Sequence, residues 1–401
     1  QFESTLSDLG WQRAENVPAC WTFNGLTGTA TLITIVDDML FAEDASSNGS
    51  ITKTTCDALG RLYGDVRPEA DPTSFAGYSL TYTAASVTIS MQQKIEEAAT
   101  EYFPELHGNA PLPPLPKGTR PESRAGDAGG NLRKMADNMR LPAERPAKLS
   151  HGQVRTQRLI GSLKFIEKVH PSLSLILHRL SCVMCCPPPE AWDVARAALL
   201  SVWPRRHQGL TYGGSTIANP RLSGSLAASI LDDAAPHQLE AMADATWGVD
   251  HNVYGLVLTY HGAAVYHTTK KLGLIVDSSM ESEAIASCKA AEMVAYAREV
   301  LRALGDVCTE PTLIGTDNLA NHSTAMGLGC PSRSKHFLRR YFVLKQRIKA
   351  EECTLVHVPG ADMPADALTK WVTKDKYLKS MTYLTNDRPT TSPAPPSADA
   401  T

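Results

Sequence analysis

The most constraining feature of this sequence is a run of strand-like and helical segments in its C-terminal part, at whose ends four acidic residues fall. Tyr254–Tyr260 (YGLVLTY) and Ala263–His267 are apolar and β-branched, and they flank a turn at His261-Gly262. A long helix then runs to about Leu304, with Ile285, Met293, Val300, Leu301 and Leu304 at roughly helical spacing. The short strand Thr312–Thr316 (TLIGT), a helix-like Asn318–Met326, the strand Cys353–Val358 (CTLVHV) and a final helix complete the series. Asp244 lies in MADATWG just before the strand pair, and Glu283 near the start of the long helix. Asp317 follows TLIGT, and Asp366 sits on the first turn of the final helix.

Carboxylates at strand ends and helix starts can converge on one edge of a sheet. Such a cluster repels itself unless a cation neutralises it, and a divalent metal is the natural complement. Two such ions, about 3.5–4 Å apart, would clamp the attacking water and the leaving oxygen of a phosphodiester. The competing reading of each acid is a helix cap or a solvated face. Ser278-x-x-Glu281 has the form of a capping box, so Glu281 is expected to serve its helix. Spacing alone leaves both readings open.

Upstream, Thr29–Leu40 (TATLITIVDDML) reads as a buried strand ending in a turn that holds Asp37 and Asp38. Strand-like Tyr78–Thr83 and Ser86–Ser90 and a helix-like Met91–Tyr102 follow. From Ala110 to Pro146, Pro, Gly, Arg and Lys crowd together and apolar periodicity vanishes. This segment is expected to be a linker, with Lys117, Arg120 and Arg124 as solvated charges able to touch nucleic acid. Three helices, Thr156–Val169, Leu173–Met184 and Glu190–Trp203, suggest a small helical subdomain, and Thr390–Thr401 reads as a disordered tail. A net charge of −3 gives no global basic signal, so nucleic-acid binding would need a local basic face. The nine cysteines form no complete zinc site and read as reduced thiols. With neither a signal pattern nor an apolar run of about 20 residues, the chain is expected to be intracellular, in a cytoplasmic particle or the nucleus, with no membrane partner.

The blocks MADATWG, DSSMESEAIASCKAAEMVA, LIGTDNLANHSTA, SRSKHFLRRYFVLKQRI and LVHVPGADMPADALTKW closely resemble, in order, those of the copia-type retrotransposon ribonuclease H domain. Glu283-x-x-Ala286 matches the wider family's Glu-x-x-Ala, which favours Glu283 over Glu281. Leu9-Gly10-Trp11 with Pro18 and Cys20 resembles the segment before the acidic turn of the reverse transcriptase. Ile35-Val36-Asp37-Asp38 resembles its Tyr-x-Asp-Asp box, with isoleucine in place of tyrosine. Arg158–Leu163 and Gly209–Tyr212 resemble the blocks leading into the nuclease.

The resemblance implies an α/β fold: a ribonuclease H-like mixed five-stranded sheet with flanking helices, preceded by a partial reverse-transcriptase palm and a small helical connection subdomain. It places the palm at 1–109, after the fingers, and the linker at 110–150. The helical thumb or connection then covers 151–223, the nuclease 224–379 and the tail 380–401. The implied activity is water attack on the RNA strand of an RNA–DNA hybrid, leaving 5′-phosphate and 3′-hydroxyl ends. Asp244, Glu283, Asp317 and Asp366 would hold two Mg²⁺ (or Mn²⁺) ions. Arg333, Lys335, Arg339 and Arg340, with Lys345, Arg347 and Lys349, would form the nucleic-acid face. His336 and His357 are the candidates for proton transfer, although His357 precedes Val358-Pro359, where the retroviral type has its histidine after.

The family's polymerase needs a third aspartate and fingers that this sequence does not contain. Asp37 and Asp38 are therefore expected to be a vestigial metal site, and polymerisation by this chain alone is not expected. Separate upstream pieces of the polyprotein are implied partners. The rival expectation is a decayed or domesticated remnant that binds nucleic acid without cutting.

Overall fold

The computed structural model describes residues 1–64, 66–103, 130–144, 146–213, 238–248, 252–273, 276–328 and 338–386. The chain divides into two compact units, residues 1–82 with 295–309, and residues 83–294 with 310–401.

The first unit is built on an antiparallel sheet of four strands: β1 (Trp11–Arg13), β2 (Cys20–Gly25), β3 (Gly28–Ile35) and β4 (Asp38–Glu43). Helices α1 (Phe2–Asp8) and α2 (Ser50–Tyr63) and the short pair β5 (Ser74–Phe75) and β6 (Tyr78–Tyr82) accompany it. Its core gathers Leu6, Trp11, Trp21, Ala30, Leu32 and Ile51, and Trp11 Nε1 donates to Thr55 Oγ1 at 3.0 Å. The stretch expected as one buried strand is a half-buried hairpin instead. Ile35 pairs with Asp38 across a two-residue turn, so Met39 and Leu40 belong to the next strand. Val36 holds that turn at φ 54°, a region costly for a β-branched residue.

In the second unit β7 (Ser86–Ser90) leads to α3 (Gln92–Tyr102), then to α4 (Gly130–Asn138), α5 (His151–Ile166), α6 (Ser174–Val183) and α7 (Pro189–Val202). The strand β8 (Gly209–Gly213) returns to pair with β7. Helix α4 lies inside the segment expected to be linker. Its Asp137 carboxylate meets the buried Arg179 guanidinium at 3.2 Å and accepts from Trp371 Nε1 at 3.0 Å. These two polar contacts, with the buried Ala136 and Met139, hold a helix in a segment where the sequence shows no apolar periodicity. Lys117, Arg120 and Arg124 lie outside the described residues.

The remainder is the expected mixed five-stranded sheet: β9 (Leu239–Thr246), β10 (Val253–Tyr260), β11 (Ala263–Lys271), β12 (Thr312–Thr316) and β13 (Cys353–His357), in spatial order β11-β10-β9-β12-β13. The first three strands run antiparallel, while β12 and β13 lie parallel to β9 and to each other. His261 and Gly262, at φ 45° and 80°, make the tight turn between β10 and β11. Helix α8 (Ser279–Ala303) separates β11 from β12; α9 (Leu319–Ala325) and α10 (Leu338–Lys349) separate β12 from β13; and α11 (Asp366–Thr369) and α12 (Lys374–Leu384) follow. Met242, Val257, Val356, Val358, Met363 and Leu368 lie in the core of this sheet. Order extends past the expected start of the tail: α12 reaches Leu384, and Asn386 Oδ1 accepts from Ala264 N at 2.7 Å.

Candidate active site

The central strand β9 is buried along nearly its whole length, and Asp244 stands on it at 1% exposure. Its register partner on β10 is Gly255. A Cβ at position 255 would lie 2.8 Å from both Leu368 Cβ and Thr369 Cγ2, so a bare glycine lets α11 seat directly on the sheet. That seating brings Asp366 and Thr369 to the end of β9 that carries Asp244. Glu283 arrives from the first turns of α8, buried at 5% exposure. Asp317 follows the last residue of β12, which is parallel to β9, so its carboxylate emerges at the same edge.

Asp244, Glu283 and Asp317 each offer a carboxylate oxygen, and these three oxygens lie within 4.8 Å of one another. Glu283 Oε1 accepts from Ala245 N at 3.2 Å, whereas Glu283 Oε2 is buried with no hydrogen-bond partner. Asp244 Oδ2 accepts from the Thr369 hydroxyl. Asp244 Oδ1 is likewise buried without a hydrogen bond, the Lys370 ammonium standing 3.5 Å away. Burial, then the charge of Asp366, pushes the Asp244 carboxyl well above the usual range, against the pull of Lys370. Burial, then Asp244, does the same to Glu283, and burial, then Asp366, raises Asp317. Buried, mutually repelling, under-bonded carboxylate oxygens are the donor set that a hard divalent cation satisfies, so these residues fit Mg²⁺ or Mn²⁺.

Asp366 reaches the same pocket but is held differently. Its Oδ1 lies 3.0 Å from Lys370 Nζ, and its Oδ2 accepts from Lys376 Nζ. Glu281 stands apart from the cluster and caps α8: Glu281 N donates to Ser278 Oγ at 3.2 Å, and Glu281 Oε2 accepts from Asp277 N at 3.0 Å. His357 touches the rim, its Nε2 lying 3.3 Å from the Asp317 carbonyl. Asp37 and Asp38 are exposed at the β3–β4 turn, and Asp38 Oδ2 accepts from Ala76 N at 3.0 Å. Neither belongs to a group of three metal-ligating side chains among the described residues.

Arg333, Lys335 and His336 lie outside the described residues, as do the side chains of Arg339 and Arg340. On the rest of α10, Lys345 and Lys349 are exposed beside the exposed apolar Phe342 and Val343. Arg347, expected on the nucleic-acid face, is tied to Glu352 at 2.5 Å.

Several supporting residues escaped the sequence reading. Asn321 is wholly buried; its Nδ2 donates to Ser287 Oγ (2.9 Å) and Thr316 Oγ1 (3.2 Å), while its Oδ1 accepts from Tyr341 OH (2.8 Å). It thereby fixes α8, β12 and α10 around Asp317 and Glu283. Lys370 and Thr369 were visible as part of ALTK, but nothing in the spacing showed that they face Asp244.

No family model matches the chain. It is similar to the retrovirus-related Pol polyproteins of the Arabidopsis thaliana transposons RE2 and RE1, each 24% identical over 217 residues that make up 53% of this chain. The matched segment is only 14% and 13%, respectively, of the length of those relatives. Among solved structures, RNase H1 of Halobacterium salinarum is 17% identical and covers 32% of this chain and 92% of its own, with a TM-score of 0.27. A foamy viral protease-reverse transcriptase solved with double-stranded DNA is 10% identical and covers 81% of this chain and 45% of its own, with a TM-score of 0.35.

Proposed function

We propose that this chain, similar over half its length to plant transposon Pol polyproteins, carries a divalent-metal-dependent ribonuclease H that cuts the RNA strand of RNA–DNA hybrids. The observation that carries this reading is the convergence of Asp244, Glu283 and Asp317, with two buried carboxylate oxygens left without hydrogen bonds. A divalent cation, when bound there, supplies Lewis-acid polarisation of the scissile phosphate and lowers the pKa of water. The chain's own residues do the rest. The Thr369 hydroxyl and Ala245 N–H fix one oxygen each of Asp244 and Glu283, so the carboxylates are pre-aimed rather than reorganised on binding. Asp366, clamped by two lysines, closes the pocket on the α11 side. With its Nε2 proton given to the Asp317 carbonyl, His357 keeps Nδ1 for proton transfer at the rim. His336 is the alternative candidate for that role.

Exposed Lys345, Lys349 and Phe342 on α10 offer phosphates a pair of cations and a base or sugar an apolar surface, alongside Arg333, Lys335, Arg339 and Arg340. We assign residues 1–109 to a partial polymerase palm, 151–223 to a connection and 224–379 to the nuclease, operating inside the cell with separate upstream polyprotein pieces. The exposed Asp37 and Asp38, one of them spent on a loop amide, leave the palm without nucleotide polymerisation of its own.

The test is Mg²⁺-dependent cleavage of an end-labelled RNA–DNA hybrid by the intact chain and by Asp317→Asn. The expected result is cutting of the RNA strand only, abolished by the substitution and by chelator. Binding of hybrid without any cutting would instead identify a nucleic-acid-binding remnant.

A further inference from the structure

Two ammonium groups stand inside the acidic pocket. Lys370 Nζ lies between two carboxylates, 3.0 Å from Asp366 Oδ1 and 3.5 Å from Asp244 Oδ1. Lys376 Nζ donates to Asp366 Oδ2 and to the Gly360 carbonyl. Both oxygens of Asp366 therefore already face a cation, and Asp366 is absent from the three-residue group whose oxygens approach within 4.8 Å. Charge gives the same partition. Once a bound cation has displaced their protons, four carboxylates carry four negative charges, two ammoniums cancel two, and the remainder matches a single divalent ion. Of the buried carboxylate oxygens without a hydrogen bond, Asp244 Oδ1 and Asp366 Oδ1 each have the Lys370 ammonium within 4 Å, whereas Glu283 Oε2 has no lysine beside it.

Resting on the metal-dependent reading above, we propose that the Lys370 ammonium fills the position between Asp244 and Asp366 that a second cation would take. The free chain then holds one divalent ion, on Asp244, Glu283 and Asp317. The local fold enforces this. Lys370 closes the short helix α11, its N–H bonded to the Asp366 carbonyl at 3.0 Å, so its side chain leaves the backbone one turn after the carboxylate it pairs with. A tethered ammonium is present at every encounter, whereas a second ion must be captured from solution and would meet a like charge a few ångströms away.

The experiment counts ions rather than turnover. The full chain, free of nucleic acid and near neutral pH, is titrated with Mn²⁺, and the free ion is read by electron paramagnetic resonance. One bound Mn²⁺ with no spin-coupled partner is expected for the wild type, for Lys370→Arg and for Lys376→Met. Lys370→Met and Lys370→Gln are expected to bind two, the pair showing spin coupling, with the first ion held about tenfold more tightly once the like charge is gone. Two ions in the wild type would overturn the proposal whatever the variants do, while leaving the nuclease reading intact. A single ion in both neutral variants would overturn it equally. No bound Mn²⁺ in the wild type, as in an Asp244→Asn control, would sink the metal-dependent reading along with it.

Discussion

A buried carboxylate oxygen without a donor is costly, and Asp244 and Glu283 each keep one. That cost makes the site sensitive to pH when no metal is present. Asp244, Glu283 and Asp317 all titrate above their ordinary range in the folded chain, so between that range and the raised values the folded state binds more protons than the unfolded. Stability must then fall as pH rises from about 4. In chelator, the unfolding midpoint is expected to drop steadily from pH 5 to pH 8, and saturating Mg²⁺ should flatten that slope. A midpoint in chelator that rises with pH over this window would contradict the assignment. Glu281 and Glu283, two residues apart on one helix, should separate cleanly. Glu281→Ala removes a cap and is expected to cost about 0.5–2 kcal/mol in urea unfolding with divalent-ion affinity unchanged. Glu283→Gln should abolish ion binding, seen by calorimetry, without destabilising the metal-free chain.

At the level of elements, two places show how a single backbone position sets the fit of neighbours. Gly255 lets α11 rest on β10 opposite Asp244. Gly255→Ala should force the 366–369 turn outward, at about 1–3 kcal/mol in stability, and weaken ion binding with it. Retained ion affinity in that variant would show that α11 does not shape the pocket. The β3–β4 hairpin is the opposite case, since Val36 sits at positive φ with its side chain exposed. Val36→Asn is expected to stabilise the first unit by about 1 kcal/mol, measured as a shift in urea midpoint, because asparagine tolerates that conformation.

Across the second unit as a whole, α4 is tied to elements distant in sequence by Asp137 and by Arg133, whose guanidinium lies 5.1 Å over the Trp371 ring. Asp137 meets Arg179 on α6 and Trp371, the residue after Lys370. Asp137→Ala would leave the buried Arg179 without that partner. An expected loss of about 1–3 kcal/mol allows for the partial exposure of Asp137. Unchanged thermal stability would mean that the Asp137 contacts do not stabilise the unit.

Elements with strong local chemistry were legible from the residues alone: the hairpin at His261-Gly262, the strand Thr312–Thr316, the long helix and the three helices between 151 and 203. Alternation, turn residues and helical spacing act over a few residues and need no distant partner. The acids at element ends were legible for the same reason, and family resemblance chose among them. The rest depends on packing between distant segments. LEAMADAT is a run of good helix formers, yet it is the central strand of the sheet, because pairing on both edges outweighs local propensity. The helix at 130–138 depends on Asp137 finding Arg179 and Trp371, both distant in sequence. Lys370 lies four residues from Asp366 but 126 from Asp244, and only the packing of α11 over Gly255 brings its ammonium to both. Contacts made across such separations leave no local signature, because the residues that create them are neighbours only in the folded chain.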